Sequence, residues 1–256
     1  MNNLYKAPAL EKGLEIIELL AAHQAPLSMS EISLALGRSK NEIFRMLSVL
    51  VQKQYITKRD GGEKFSITNQ LFELAMKVLP NSILSELSLP LMQTLVHITG
   101  QSCHISVLSQ DKFVVVNRVE SSDFIGIAVR IGFSTELLKS SSGLALLTWL
   151  NKKTQLKIIK KTYEPTKMTE LIEKLNQFKL QGVVKQNSPY MKGITDLSVP
   201  IMLSPTSKIA IAALTVPFAQ TSNITLPIKQ VIHELKQTAR IISKQVWEYL
   251  HRMNLL

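Results

Sequence analysis

The chain has 256 residues, of which 45% are hydrophobic and 19% charged, with a single cysteine and a formal net charge of +11. That composition excludes a disordered chain, and the length suits one large domain or two ordinary ones. Cys103 has no partner for an intrachain disulfide, no run approaches the roughly 18 apolar residues of a membrane span, and Met1–Lys6 lacks the apolar core of a signal peptide, so a soluble, cytoplasmic protein with no membrane partner is expected.

The charge invites a polyanionic partner, but it is unevenly spread. Residues 1–80 hold ten Lys and Arg against eight Asp and Glu, whereas residues 81–256 hold twenty against eleven. A solvated, lysine-rich surface accounts for the excess as well as nucleic acid does.

Residues 9–23 read as a helix, because Leu10, Leu14, Ile17 and Leu20 recur at helical steps on one face. Gln24-Ala25-Pro26 stops it. Ser28 and Glu31 then have capping-box spacing, in which each side chain satisfies a free N–H at a helix start. A short helix follows over Met29–Leu36, and Gly37 suits its C′ position. Ser39 and Glu42 form a second capping box, opening a helix from Lys40 to about Gln52 that buries Ile43, Leu47 and Leu50. Two short capped helices around a tight Gly turn are the sequence form of a helix-turn-helix.

Tyr55–Arg59 and Lys64–Thr68 have strand propensity around the turn residues Asp60-Gly61-Gly62, so a hairpin follows the second helix directly, as a wing. Lys58, Arg59 and Lys64 on its strands are placed to meet phosphates. Asn69–Leu79 reads as an amphipathic linker helix with Leu71, Phe72, Ala75 and Leu79 near one face, ended by Pro80. Residues 82–99 form another helix, which Pro90 breaks or bends.

The pattern changes from about Ser102. Cys103–Leu108 and Phe113–Val119 are β-rich runs around a Gln110-Asp111 turn, and Phe124–Ile131 is a third. Helices are expected over 141–151, 152–161 and Thr169–Leu180, and strands over Val183–Lys185, Ile194–Met202 and Ile209–Val216. A long helix over 224–253 ends the chain. The result is a mixed α/β domain.

The second helix of a helix-turn-helix enters the major groove with its N-terminal residues on base edges. Its candidates are Ser39, Lys40, Asn41, Phe44, Arg45 and Ser48. Arg45 suits guanine O6/N7 or a phosphate, Asn41 suits adenine N6/N7, and Lys40 suits a phosphate. Phe44 either touches a thymine methyl or packs into the domain. Glu42 reads as a cap rather than a base reader. Cys103 and His104 are adjacent on a predicted strand and point to opposite faces, a poor metal pair, so Cys103 reads as packing and no metal site is expected. No GxSxG, P-loop, HExxH or dinucleotide fingerprint occurs, so neither a catalytic residue nor a cofactor is assigned.

The segments ALEKGLEIIELL, LSMSEISLALGRSKNEIFRMLSVL, YITKRDGGEKFSITNQLFELA, IGFSTELLKSSSGLALLTWL and KGITDLSVPI together resemble the IclR family of bacterial regulators, in order and spacing, over nearly the whole chain. The chain departs from the family pattern at Asn41-Glu42, at Glu136-Leu137 and at Asp196. The resemblance implies an α+β protein: a winged helix-turn-helix DNA-binding domain over 1–68, a linker helix over 69–80, and a GAF-like α/β effector-binding domain over 81–256. By motif alignment the effector site takes Gly132, Leu137, Ser140, Ser141, Ser142, Gly143, Asp196, Ser198 and Thr215. The run Ser140–Gly143 opens a predicted helix, whose free N–H groups and hydroxyls suit a carboxylate or a phosphate, although the serines also suit simple capping. Asp196 is awkward for an anion; it accepts the hydroxyls of a sugar acid, is protonated by burial, or makes a structural hydrogen bond. The implied function is a transcriptional regulator that binds double-stranded DNA as a homodimer or homotetramer under control of a small organic or sugar acid. A DNA- or RNA-binding adaptor with a non-sensing oligomerisation domain, and an enzyme, are the alternatives.

Overall fold

A computed structural model describes residues 7–23, 25–76, 79–124, 126–162, 165–220 and 226–253. The expected stop at Gln24, residues 77 and 78 of the expected linker helix, and the side chains of Phe72, Ala75 and Leu79 lie outside the described residues. The chain divides into two compact units, Met1–Leu79 and Pro80–Leu256.

In the first unit, α1 (Pro8–Ala22), α2 (Met29–Leu36) and α3 (Lys40–Gln52) close over a small core of Ile16, Leu20, Ile32, Ile43, Leu47, Leu50, Ile56 and Phe65. Both capping boxes are formed: the hydroxyls of Ser28 and Ser39 accept from the N–H groups of Glu31 and Glu42, whose carboxylates accept from the serine N–H groups. Gly37 ends α2 in the left-handed region at φ 61°, which lets its own N–H and that of Arg38 reach back to the carbonyls of Leu34 and Ser33. A three-stranded antiparallel sheet completes the unit, in which β3 (Lys64–Ile67) lies between β1 (Leu27–Ser28) and the wing strand β2 (Ile56–Arg59). Only its pairing with β3 makes a strand of the two-residue β1, which carries no periodicity of its own. A further helix, α4 (Gln70–Met76), follows.

The expected buried face of α1 is corrected. Leu10 and Leu14 are 63% and 50% exposed, while Ile16 and Leu20 are buried. The helix carries apolar residues around a wide arc, and periodicity alone does not choose which part of the arc faces the core.

The second unit is a six-stranded antiparallel sheet in the order β6-β5-β4-β9-β8-β7. The strands are β4 (Cys103–Ser109), β5 (Lys112–Val119), β6 (Ser134–Glu136), β7 (Val184–Asn187), β8 (Ile194–Met202) and β9 (Ala210–Ala219). On one face α5 (Leu79–Thr99) and the long α9 (Ile228–Arg252) pack against Cys103, Ile105, Val107, Leu197, Val199, Leu214 and Val216. Val231, Leu235, Ala239, Ile242, Val246 and Leu250 recur at three- and four-residue steps and form the buried stripe of α9. On the other face α6 (Ser141–Thr148), α7 (Lys152–Thr162) and α8 (Pro165–Gln181) cover Phe113, Val115, Val184, Ala210 and Ala213.

Three further expectations are corrected. Pro80 does not terminate a helix; it stands in the first turn of α5, where its missing N–H has no intrahelical partner to lose. Pro90 does not break that helix, which runs through it to Thr99; the proline stands on the exposed side. Phe124 and residues 126–131 form no strand, and residue 125 lies outside the described residues. Phe124 is 97% exposed, and Ile127, Ala128 and Val129 turn towards a cavity rather than towards a neighbouring strand; the edge strand is the polar β6 instead.

Candidate functional site

Two surfaces carry the chemistry, one on each unit. On the first unit, Ser39, Lys40, Asn41, Phe44, Arg45 and Ser48 are all exposed along α3, while Ile43 and Leu47 anchor the opposite side in the core. Phe44 is 60% exposed, so it does not pack into the domain. The Ser48 hydroxyl donates to the Phe44 carbonyl at 2.9 Å, and the Ser39 hydroxyl is engaged by Glu42. Glu42 caps the helix and pairs with Lys12 of α1; that ammonium, with Ser39, holds its carboxyl down at about 2. The wing turns through Gly61 and Gly62, both at positive φ. Lys58 and Arg59 are exposed, Lys64 is half-buried, Arg59 and Lys64 stand opposite each other across the hairpin, and the Arg59 Nε donates to Ser66.

On the second unit, a cavity of about 280 Å³ opens between the sheet and the N-terminal end of α6. Its polar floor is a chain of hydrogen bonds. His104 Nε2 lies 3.2 Å from the Ser142 hydroxyl, which lies 2.8 Å from that of Thr215, which lies 2.8 Å from that of Ser198. His104 Nδ1 and the Ser141 hydroxyl are buried without a partner among the described residues. Burial lowers the His104 pKa to about 4, so the imidazole is neutral at physiological pH. Burial also raises the Asp196 carboxyl to about 6, against the opposing effect of a hydrogen bond from Ser188. Phe113, Phe133 and Tyr190 form an aromatic wall, with Tyr190 edge-on to Phe133 at 5.6 Å. The Tyr190 hydroxyl donates to the Lys139 carbonyl, which ties the β7–β8 loop to the turn before α6.

Of the nine expected effector positions, Ser140, Ser142, Asp196 and Thr215 line this cavity, and Gly132, Leu137, Ser141, Gly143 and Ser198 do not. Leu137 is buried in the core under α6. Gly143 lies against the Leu137 backbone so closely that a Cβ would stand 2.1 Å from its carbonyl oxygen. Ser198 lies behind Thr215 and reaches the cavity only through that hydroxyl. Gly132 is an exposed turn residue at φ 82°. Sequence reasoning missed His104, Phe113, Phe133 and Tyr190. His104 had one legible signal: the alternation of β4 turns it away from the core that buries Cys103.

A capped helix with an exposed face and a basic wing are the parts of a DNA-binding transcription regulator, and the second unit holds a ligand-sized cavity. Comparison with known proteins agrees. Residues 76–244 match the family described as bacterial transcriptional regulator IclR C-terminal, and residues 9–60 match the IclR helix-turn-helix domain. The chain belongs to the IclR family of transcriptional regulators. It is 25% identical over 243 residues to the HTH-type transcriptional regulator KdgR of Escherichia coli, covering 91% of each chain. It is 23% identical over 202 residues to the HTH-type transcriptional repressor AllR of the same organism, covering 76% and 74%. Among solved structures, an IclR homologue from Microbacterium hydrocarbonoxydans complexed with 4-hydroxybenzoate superposes with a TM-score of 0.76 at 19% identity, covering 93% of this chain and 98% of that one. The Thermotoga maritima IclR superposes with a TM-score of 0.70, also at 19% identity, covering 93% and 98%. These relatives are regulators, and among the described residues no helix is long and apolar enough to cross a membrane.

Proposed function

We propose that α3 reads operator DNA through Asn41, Phe44 and Arg45, with Lys40, Ser39 and Ser48 at its flanks and Lys58, Arg59 and Lys64 of the wing on phosphates. The reading is carried by one observation: the side chains suited to base edges are exposed together on one side of a helix whose other side is core. The protein acts in the cytoplasm as a homodimer or homotetramer, and its half-sites lie about one helical turn, roughly 34 Å, apart. Residues 1–68 form the reading head, 69–80 the linker, and 81–256 the sensing domain. Selection of duplexes from a random pool, followed by anisotropy titration at two salt concentrations, tests this. A near-palindrome bound well above random DNA at the higher salt is expected; binding without a consensus that vanishes with salt refutes it.

The effector is a small organic or sugar acid bound in the cavity over His104, Ser142 and Thr215. Among the described residues no cationic side chain stands in the cavity wall, so a carboxylate is held by hydroxyls and by the N–H groups at the start of α6. The 4-hydroxybenzoate complex of the Microbacterium homologue is a precedent for an acid of this size. Ionised Asp196 repels such an acid, and its carboxyl titrates at about 6, so an acid effector binds more tightly at pH 5.5 than at pH 7.5. The effector controls DNA binding only by its difference in affinity between the competent and incompetent arrangements of the protein. Thermal-shift titration with a panel of sugar and aromatic acids at both pH values, repeated on Asp196→Asn, checks this. The pH dependence disappears in the variant if Asp196 is its source.

A further inference from the structure

The C-terminal unit carries most of the excess positive charge, and neither site described above uses it. Four of those cations meet in one place. A groove of about 660 Å³ runs between the C-terminal end of α8, the end of β8 and one face of α9, and it is lined by Lys179, Lys236, Arg240 and Lys244. Among the described residues no Asp or Glu lines it. Among the described residues one carboxylate reaches any of the four: Glu248, at 3.8 Å from Lys244. Lys236 Nζ donates to the Gln181 carbonyl at 2.6 Å, which holds its charge at the groove wall without neutralising it.

The arrangement is unfavourable to the protein alone. Lys236, Arg240 and Lys244 succeed one another at four-residue steps, so like charges stack along one face of α9, an arrangement that lowers helix stability. The small residues between them, Ala239 and Ser243, open the groove and leave the long cationic side chains at its sides. Val199, Pro200 and Met202 of β8 give it an apolar floor. A concave site of this volume falls in the range of small-molecule pockets, roughly 300–1,000 Å³. The guanidinium fork of Arg240 between two ammonium groups suits the oxygens of a phosphoryl group better than a single carboxylate.

We infer that this groove is a second ligand site, separate from the effector cavity, that binds a small phosphorylated molecule with its phosphoryl oxygens on Arg240, Lys236 and Lys244 and its apolar part on the β8 floor. The inference does not depend on which acid fills the cavity.

Calorimetric titration of the full chain with inorganic pyrophosphate and with 1-naphthyl phosphate, in near-physiological sodium chloride, tests it. One saturable site per chain is expected for each probe. The double variant Arg240→Gln with Lys244→Gln, both at exposed helix positions, weakens binding at least tenfold and keeps the melting temperature, whereas Ser142→Ala in the cavity leaves binding unchanged. Absence of saturable binding overturns the proposal, as does binding that the double variant leaves within twofold. If the double variant weakens binding to a random DNA duplex while pyrophosphate shows no site, the groove serves the DNA backbone and the small-molecule assignment is wrong.

Discussion

The reading head and the sensing domain solve opposite problems. In the head, the proposed base-reading residues Asn41, Phe44 and Arg45 stand outside the core, and the core holds only the far side of the same helix. In the C-terminal unit the proposed effector residues are part of the interior: His104, Ser142 and Thr215 are each less than 5% exposed. A head built this way can change its base preference at almost no cost in stability. A cavity built from buried polar groups ties ligand chemistry to folding, because a buried polar group left without a partner costs stability.

The largest expected effect lies where the cavity meets its scaffold. Gly143→Ala places a Cβ 2.1 Å from the Leu137 carbonyl oxygen, and the three nearest atoms are all Leu137 backbone, so α6 must move. A loss of at least about 3 kcal/mol is expected in urea unfolding, on the transition of the C-terminal unit. A loss below about 1 kcal/mol would mean that α6 is not held by this approach.

Proton linkage in the cavity comes next. His104 falls from its ordinary 6.5 to about 4, so between those values the unfolded chain binds a proton that the native chain refuses. Its stabilising contribution is complete above pH 6.5 and is lost as pH falls towards 4. Asp196 rises from 3.8 to about 6, so the native chain keeps a proton that the unfolded chain releases. Its contribution is complete below about 4 and is lost as pH rises to 6. The two oppose each other. The intact protein should therefore show little net pH dependence from the cavity between pH 4 and 6, while His104→Gln should lose stability as pH rises across that window and Asp196→Asn should gain it. Each slope should amount to on the order of 2 kcal/mol. Parallel slopes in the two variants would break the assignment.

On the head, Arg45→Ala should weaken binding to the selected operator by about 1–3 kcal/mol, with a smaller loss on random DNA, and without change in thermal stability. Equal losses on both duplexes would assign Arg45 to phosphate. The smallest effect belongs to the caps. Ser28→Ala and Ser39→Ala should each cost the head about 1 kcal/mol, read from its thermal transition.

The same division governs what was legible in the residues. Ser28 with Glu31, Ser39 with Glu42, and Gly37 between them mark the two helices of the head without any tertiary information, because caps act over three residues of contiguous chain. Lys40–Gln52 has the same limits in the sequence reading and in the structure for this reason. The cavity was only partly legible. The serines before α6 and Asp196 carry local signals, but Phe113, Phe133 and Tyr190 come from different segments and meet only when β5, the loop before β6 and the β7–β8 loop are folded together. The apolar run Phe124–Ile131 misled, because Ile127, Ala128 and Val129 are apolar for the cavity and not for a strand partner.

By itself, then, the order of residues determined the two-part organisation, the helix-turn-helix with its wing, and, apart from the edge strand β6, the succession of strands and helices in the C-terminal unit. Capping, turn chemistry and hydrophobic period are short-range and are written in consecutive residues. Tertiary structure alone decided which arc of α1 faces the core, that Leu27–Ser28 is a strand, which residues wall the cavity, and that Lys179 joins Lys236, Arg240 and Lys244 around one groove. Those outcomes depend on neighbours distant in the chain, and the burial that shifts His104 and Asp196 exists only once those neighbours have closed around them.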